Sequence, residues 1–264
     1  MMSGLRVENL ESVYNKAVTA ISGVSLEVPE GRIVALVGVN GSGKSTTLNA
    51  ISGLLSGDPQ KITAGQIWFD GKRIDGLPPY QVVHRGVVLV PEREKIFETL
   101  TVAENLQASV ASMVKGSDNR LAEVFELFPP LLERKKTIAG YLSGGQRQML
   151  AMARALLCHP RLLLVDEMTL GLAPLVISDL LARLCHMRDS LGVSVLLVEQ
   201  NVAAALEVAD YGYIMEKGRI VFHGTPDKLR SHDDVREFYL GLGAAGARSY
   251  RDVKQYRRAR RWWG

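Results

Sequence analysis

The chain has 264 residues and a formal net charge of +4, and 47 % of its residues are hydrophobic and 23 % charged. These values are ordinary for a globular protein, and no apolar run approaches the roughly 20 residues that a membrane-spanning helix needs. The start, Met1 to Arg6, lacks the apolar core of a signal peptide, so we expect the protein to remain in the cytoplasm. Cys158 and Cys185 are too few for a disulfide framework. Each precedes a histidine without further ligands nearby, and we expect buried thiols rather than a zinc site.

Two kinds of hydrophobic pattern alternate along the chain. Residues near 5–30 and 62–75 alternate between apolar and polar side chains, which predicts antiparallel strands with turns at Asp70-Gly71 and Asp75-Gly76. Longer apolar runs, which predict the strands and helices of a parallel sheet, lie near 31–55, 85–91 and 155–224. The sequence therefore predicts an α/β protein with an antiparallel β part near its start.

A helical insert is predicted at about 96–150, between the segments of the parallel sheet. Thr101 is the expected cap of its first helix, and Pro129-Pro130 interrupts the helical pattern. Near the C-terminus, Thr225-Pro226 predicts the start of a short helix, because threonine caps helices and proline suits the first helical position.

The string from Gly38 to Ser45, Gly-Val-Asn-Gly-Ser-Gly-Lys-Ser, matches the G-x-x-x-x-G-K-[ST] phosphate-loop pattern. It follows the apolar strand Ile33–Val37 and precedes a predicted helix, which is the context that this loop requires. Its three glycines permit backbone angles closed to other residues, so that consecutive N–H groups turn toward a β-phosphate. Lys44 would reach the β- and γ-phosphates, and the Ser45 hydroxyl would bind Mg²⁺. The residues expected to contact the nucleotide here are Gly38, Asn40, Gly41, Ser42, Gly43, Lys44, Ser45 and Thr46.

Two adjacent acids end the apolar run Leu162–Val165, at the edge where ligands of parallel α/β sheets bind. Asp166 would hold Mg²⁺ through water. Because successive strand residues face opposite sides, Glu167 points elsewhere and is expected to orient or deprotonate an attacking water. Together with the phosphate loop, these acids predict a site that binds and hydrolyses ATP.

The string Leu142-Ser143-Gly144-Gly145-Gln146 predicts a second helix start that attracts anions. Ser143 is a natural N-cap, and the apolar residues between Met149 and Leu157 give the following helix a buried face. The string also resembles the signature of ATP-binding cassette (ABC) proteins. In that family the signature of one subunit completes the ATP site of another, so the resemblance implies a head-to-tail dimer that encloses two nucleotides. It implies contacts to the partner's nucleotide from Ser143, Gly144, Gly145 and Gln146.

The resemblance to ABC proteins extends from about Leu5 to about Leu242. It implies a P-loop NTPase fold with a RecA-like parallel-sheet core, an N-terminal antiparallel β subdomain and an inserted helical subdomain. It also implies that Tyr14, which precedes the phosphate loop, stacks on adenine. Ordinary packing of an aromatic side chain in a β-rich segment is the alternative.

Two positions narrow the resemblance to one branch of the family. Most ABC ATPases have glutamine in the loop that joins the core to the helical subdomain, where this chain has Glu92. Most also have histidine after the strand that follows the acidic pair, where this chain has Gln200. With Leu170-Gly171-Leu172-Ala173-Pro174, these positions resemble the ATPases of the hydrophobic amino acid uptake group, specifically the LivF type. The resemblance places Glu92 near Mg²⁺ and Gln200 near the γ-phosphate. Unlike histidine, Gln200 cannot gain a charge near neutral pH.

This branch serves bacterial importers of branched-chain or related hydrophobic amino acids, with relatives for urea, short amides or small aromatic acids as the alternatives. The partners implied are a second ABC ATPase subunit, identical or related, integral membrane permease subunits and, indirectly, a periplasmic or extracellular solute-binding protein. The protein is then expected on the inner face of the cell membrane, as a peripheral subunit. A soluble ABC ATPase acting on nucleic acid or ribosomes usually has two cassettes or a very long insert, so no nucleic acid partner is expected.

We expect one ABC domain over residues 1–243 and a separate basic tail over 244–264. The basic residues of the tail are Arg248, Arg251, Lys254, Arg257, Arg258, Arg260 and Arg261, and Trp262-Trp263 stand near its end. A solvated tail is one interpretation. Contact with an anionic inner leaflet is a second, at about 1 kcal/mol per basic residue, with the tryptophans at the interface. Nucleic acid binding is a third.

Overall fold

Two β-sheets and the helices around them form the fold in the computed structural model, which describes residues 3–14, 18–55, 60–92, 96–110 and 118–239. The strands are β1 (Gly4–Tyr14), β2 (Val18–Pro29), β3 (Ile33–Val37), β4 (Gln60–Phe69), β5 (Lys72–Arg73), β6 (Val87–Val90), β7 (Leu162–Asp166), β8 (Ser194–Glu199), β9 (Tyr211–Glu216) and β10 (Arg219–Gly224). The helices are α1 (Lys44–Ile51), α2 (Pro79–His84), α3 (Val102–Val110), α4 (Asp118–Leu127), α5 (Pro129–Glu133), α6 (Gly144–Leu157), α7 (Pro174–Leu191), α8 (Val202–Val208), α9 (Pro226–Ser231) and α10 (Asp233–Phe238).

The central sheet has six strands in the order β10-β9-β3-β8-β7-β6. Every residue of β3, β7 and β8 is buried, as expected for parallel strands that are covered on both faces. The predicted parallel pairing is confirmed from β6 to β9, but it is wrong for β10, which runs antiparallel to β9. The reason is the tight turn at Lys217-Gly218, because a two-residue connection can join only antiparallel strands.

The predicted antiparallel part is confirmed as a four-stranded sheet with the order β2-β1-β4-β5. Asp70 and Gly71 form the turn between β4 and β5, with φ values of 49° and 71°. Buried residues on the inner face of this sheet pack with one face of the central sheet and with α1. This packing places the end of β1, at Tyr14, close to the loop that follows β3.

Helices α3 to α6 occupy the predicted insert and pack on the opposite face of the central sheet. The Thr101 hydroxyl accepts a hydrogen bond from the Glu104 N–H at 3.2 Å, which confirms the predicted cap. Helix α4 ends at Leu127 and α5 begins at Pro129, so the break at the two prolines is also confirmed. Helix α6 continues through residue 150, so the expected end of the insert falls inside a helix.

The C-terminal helix α9 begins as predicted, since the Thr225 hydroxyl accepts a hydrogen bond from the Lys228 N–H. Cys158 and Cys185 are half-buried rather than buried. No helix among the described residues is both long enough and apolar enough to cross a bilayer. The basic tail at 244–264 lies outside the described residues.

Candidate functional site

The phosphate loop connects β3 to α1, and two of its glycines have the expected left-handed backbone. Gly41 has φ +75° and Gly43 has φ +107°. At Gly38 the backbone does not have a positive φ, so the need for glycine there has another cause. A Cβ atom at Gly38 would lie 2.2 Å from the Met215 carbonyl oxygen, so glycine is required by the close approach of β9.

Lys44, the first residue of α1, has a buried side chain that points back into the phosphate loop. Its Nζ donates hydrogen bonds to the carbonyl oxygens of Gly38, at 2.9 Å, and Val39, at 3.2 Å. It also forms an ion pair with Glu167 at 3.1 Å, with both side chains almost fully buried. The Ser42 Oγ is buried and has no hydrogen-bond partner among the described residues. A buried cation beside an unpaired hydroxyl fits a phosphate group.

Asp166 and Ser45 meet at the carboxyl end of the central sheet, where the Ser45 hydroxyl donates to Asp166 Oδ1 at 3.2 Å. Burial is the main cause that raises the pKa of the Asp166 carboxyl; the hydrogen bond from Ser45 opposes the increase, and the charges of Glu167 and Glu92 add to it. A hydroxyl and a carboxylate oxygen are the hard ligands that Mg²⁺ prefers, and a cation would offset the repulsion among these acids. No cluster of three or more His, Cys, Asp or Glu side chains suited to a metal occurs in the described ranges, so phosphate oxygens and water would have to complete the coordination.

Glu167 lies just beyond β7 rather than within it. Its φ of 42° is in the left-handed region, and its N–H donates to the Val198 carbonyl oxygen at 2.9 Å. Asp166 and Glu167 therefore have different partners, and Glu167 departs from the strand at a turn instead of continuing its alternation. The Glu167 carboxylate reaches Lys44, whereas Asp166 reaches Ser45.

A cavity of about 680 Å³ joins most of these residues, a size typical of sites for small ligands. Its lining consists of Tyr14, Thr19, Ala20, Asn40, Gly41, Gly43, Lys44, Ser45, Thr46, Glu92, Glu167, Leu170, Lys217 and Gly218. Tyr14 is one of these lining residues and is 42 % exposed, so its ring is available for stacking. Sequence patterns had not identified Thr19, Ala20, Leu170, Lys217 or Gly218, which lie on β2, on the turn between β9 and β10, and after the acidic pair.

The signature residues form a helix start, as predicted, but they do not line this cavity. Ser143 caps α6: its Oγ accepts from the Gln146 N–H at 3.3 Å, and its own N–H donates to Gln146 Oε1 at 3.1 Å. Gly144 and Gly145 lie close to Leu172 and to Val176 of α7. Ser143 and Gly144 are exposed to solvent, so this helix start is accessible to another molecule.

The model of the ABC transporter family matches residues 21–170, more than half of the chain. The chain belongs to the ABC transporter family. It is 42 % identical to the high-affinity branched-chain amino acid transport ATP-binding protein BraG of Pseudomonas aeruginosa, over 87 % of this chain and 97 % of BraG. Identity to the probable branched-chain amino acid transport ATP-binding protein LivF of Archaeoglobus fulgidus is 37 %, over 90 % of this chain and 99 % of LivF. Identity to the lipopolysaccharide export system ATP-binding protein LptB of Escherichia coli is 34 %, over 91 % of this chain and 98 % of LptB.

Solved ABC structures share this fold. A crystal structure of a nucleotide-free ATP-binding cassette from an ABC transporter has a TM-score of 0.78 and 28 % identity, over 89 % of this chain and 98 % of that one. An ATP-binding cassette of an ABC transporter in its ADP conformation has the same TM-score and identity, over 91 % of this chain and 100 % of that one. The predicted ABC fold, with its parallel core, antiparallel sheet and helical subdomain, is therefore confirmed.

Glu92 and Gln200, on which the resemblance to the LivF type rests, have different positions in the structure. Glu92 lines the cavity, and its charge contributes to the raised pKa of Asp166. Gln200 is exposed directly after β8 and is not among the cavity-lining residues that the structure describes. Its contact with the γ-phosphate stays a prediction.

Glu199, the last residue of β8, is a buried acid of this cassette to which the sequence patterns assigned no role. Burial raises the pKa of its carboxyl to about 7, although hydrogen bonds from Thr169 oppose the increase. Its position at the end of the strand beside β7 was a usable signal, because the carboxyl ends of adjacent parallel strands meet at one edge.

Proposed function

We propose that this chain is the ATP-hydrolysing subunit of a bacterial ABC importer that takes up branched-chain or related hydrophobic amino acids. The observation that supports the hydrolytic part is one cavity lined by Lys44, Ser45 and Glu167, with Asp166 hydrogen-bonded to Ser45 beside it. The solute class is supported by the similarity to BraG and LivF, which exceeds that to LptB. Uptake of urea, short amides or small aromatic acids is the alternative for the same machinery.

Lys44 has two sets of partners in this mechanism. In the structure its Nζ donates to the carbonyl oxygens of Gly38 and Val39 and pairs with the carboxylate of Glu167. Phosphate oxygens of ATP replace these partners, so that binding transfers the cation to the β- and γ-phosphates and releases Glu167. Nucleotide binding and preparation of the catalytic acid are thereby coupled through one ion pair.

Glu167 acts on the water that attacks the γ-phosphorus. As the new P–O bond forms, the bond to the ADP oxygen breaks, and the carboxylate accepts the proton of the water. Ser45 and Asp166 would hold Mg²⁺, which supplies positive charge to the β- and γ-phosphate oxygens. Tyr14, which also lines the cavity, stacks on the adenine.

A second ATPase subunit completes the site in this proposal. The N-terminus of α6 is exposed and carries the positive end of a helix dipole, with Ser143, Gly144, Gly145 and Gln146 around it. Facing the partner's nucleotide, these residues bind the γ-phosphate from the side opposite Lys44. ATP binding then closes the dimer, and hydrolysis reopens it.

The closing and opening of this dimer drive permease subunits that span the membrane, with a solute-binding protein delivering the amino acid outside. The cassette accordingly acts as a peripheral subunit on the inner face of the cell membrane. Because the solute contacts the permease and the binding protein, its identity is best read from them.

Purification of this chain with its associated membrane proteins and its solute-binding protein tests the proposed function. Mass spectrometry of the solute released from that binding protein should identify leucine, isoleucine or valine. Reconstituted vesicles should take up that amino acid only when ATP is supplied to the cassette. Urea, an amide or an aromatic acid in the binding protein would overturn the solute, and purification without membrane partners would contradict the importer.

A further inference from the structure

The Glu199 carboxylate is buried at the end of β8, with only 1 % of the residue exposed, and the mechanism gives it no task. Both of its oxygens accept hydrogen bonds from Thr169. The Thr169 N–H donates to Oε1 at 3.0 Å, and the Thr169 hydroxyl donates to Oε2 at 2.7 Å. Thr169 is itself buried and lies two residues after the catalytic Glu167. Glu199 therefore contacts the segment that carries the catalytic acid.

This segment has a strained backbone that the end of β8 holds at two points. Glu167 has φ 42°, a left-handed conformation that costs a non-glycine residue about 1–2 kcal/mol. Such a conformation persists only where the surrounding structure fixes it. The Glu167 N–H donates to the Val198 carbonyl oxygen, and Thr169 donates twice to the adjacent Glu199. Loss of the second point would let Glu167 relax toward an ordinary backbone and carry its carboxylate away.

Glu199 does more than accept a hydrogen bond from the buried Thr169 N–H, because it also accepts one from the Thr169 hydroxyl. One carboxylate oxygen is enough for the Thr169 N–H, and the bond from the hydroxyl adds a second link of fixed geometry. The arrangement also joins the turn of Glu167 to the residue directly before Gln200. The segment of Glu167 and the residue predicted to contact the γ-phosphate, Gln200, thus meet at the same strand end.

We propose that Glu199 and Thr169 are positioning residues that hold Glu167 in the orientation needed for water attack on the γ-phosphate. This inference rests on the proposed ATPase function. Neither residue lines the nucleotide cavity among the residues described, so their effect on the reaction is indirect, and we assign it to Glu167.

The test compares Thr169→Val, which removes the hydroxyl at nearly constant volume, with Thr169→Ser, which retains it. In the full chain, Thr169→Val should lower kcat for Mg²⁺-ATP hydrolysis at least about tenfold, since it removes the hydroxyl that donates to a buried Glu199 oxygen, and a buried acceptor left without a donor is costly. KM and the directly measured Kd for ATP should stay within about twofold. Thr169→Ser should restore kcat to within about twofold of the wild type. Ser194→Ala, which removes another buried hydroxyl bond from β8, is the control and should leave kcat unchanged.

A double-variant cycle separates positioning from general damage. If Thr169 acts through Glu167, Thr169→Val should not lower the residual turnover of Glu167→Gln any further. A wild-type kcat in Thr169→Val, or an additional loss in the double variant equal to that in the single one, would overturn the proposal. If Thr169→Val does not fold, Thr169→Ala, which also removes the hydroxyl, takes its place with the same measurements and the same criteria. Failure of the proposed ATPase function is a different result, because the wild type and Thr169→Ser would then not hydrolyse ATP either.

Discussion

Replacement of Glu167 by glutamine should lower kcat for ATP hydrolysis by about 10²–10⁴-fold, because the amide cannot accept the proton of the attacking water. ATP binding should persist and become tighter. The carboxylate that competes with phosphate for Lys44, at 3.1 Å, loses its charge in this variant. With ATP and Mg²⁺ the variant should accumulate as a closed dimer. Steady-state turnover, equilibrium ATP binding and size-exclusion chromatography with light scattering measure the three effects.

Glu207→Gln is a matched control for Glu167→Gln, because Glu207 is an exposed acid on α8 that is not among the residues described as lining the cavity. Its turnover and ATP affinity should equal those of the wild type. Near-normal turnover in Glu167→Gln would refute the role assigned to this acid. A loss of ATP binding in step with turnover would contradict the proposed competition for Lys44.

Gly38→Ala should weaken ATP binding by at least about 100-fold, because the added Cβ cannot be accommodated beside β9. Ideal placement puts it 2.2 Å from the Met215 carbonyl oxygen and 2.8 Å from Ser42 Oγ. The loop must therefore move away from β9, which displaces the N–H groups that surround a phosphate. The same overpacking should lower the free energy of unfolding by about 1–3 kcal/mol. Isothermal titration with ATP and denaturant unfolding measure the two changes.

Gly192→Ala is the control that separates the loss of ATP binding in Gly38→Ala from its loss of stability. Gly192 ends α7 with φ +67° and has open space at its Cβ position. Its replacement should cost about 1–2 kcal/mol of stability through the backbone conformation alone and leave ATP affinity unchanged. Wild-type ATP affinity in Gly38→Ala would show that the loop does not need its close approach to β9.

Local sequence patterns were sufficient for the parts of the site that lie within short segments. The phosphate loop, the acidic pair after β7 and the capped start of α6 each depend on neighbouring residues, and the structure has all three elements where the patterns placed them. The role of Gly38 could not be derived in this way, because it depends on a carbonyl group of β9 that is distant in sequence.

Contacts between residues that are distant in sequence could not be predicted for the same reason, since they depend on how the strands are arranged. Glu199 and Thr169 are 30 residues apart, and they meet only because β7 and β8 are adjacent in the sheet. Lys217 reaches the cavity because β10 turns back on β9, which the apolar run of that segment did not indicate. Contacts between residues that strand order brings together can be predicted only when the sheet topology is known, whereas contacts within one loop can be predicted from the local sequence.

The most direct test of the account is a structure of the Glu167→Gln cassette, assembled with its partner subunits and trapped with ATP and Mg²⁺. We expect the Ser143 hydroxyl of one subunit to lie about 3 Å from a γ-phosphate oxygen of the ATP that Lys44 of the other subunit binds. A trapped assembly in which Ser143 stays exposed to solvent, away from the nucleotide of the other subunit, would contradict it.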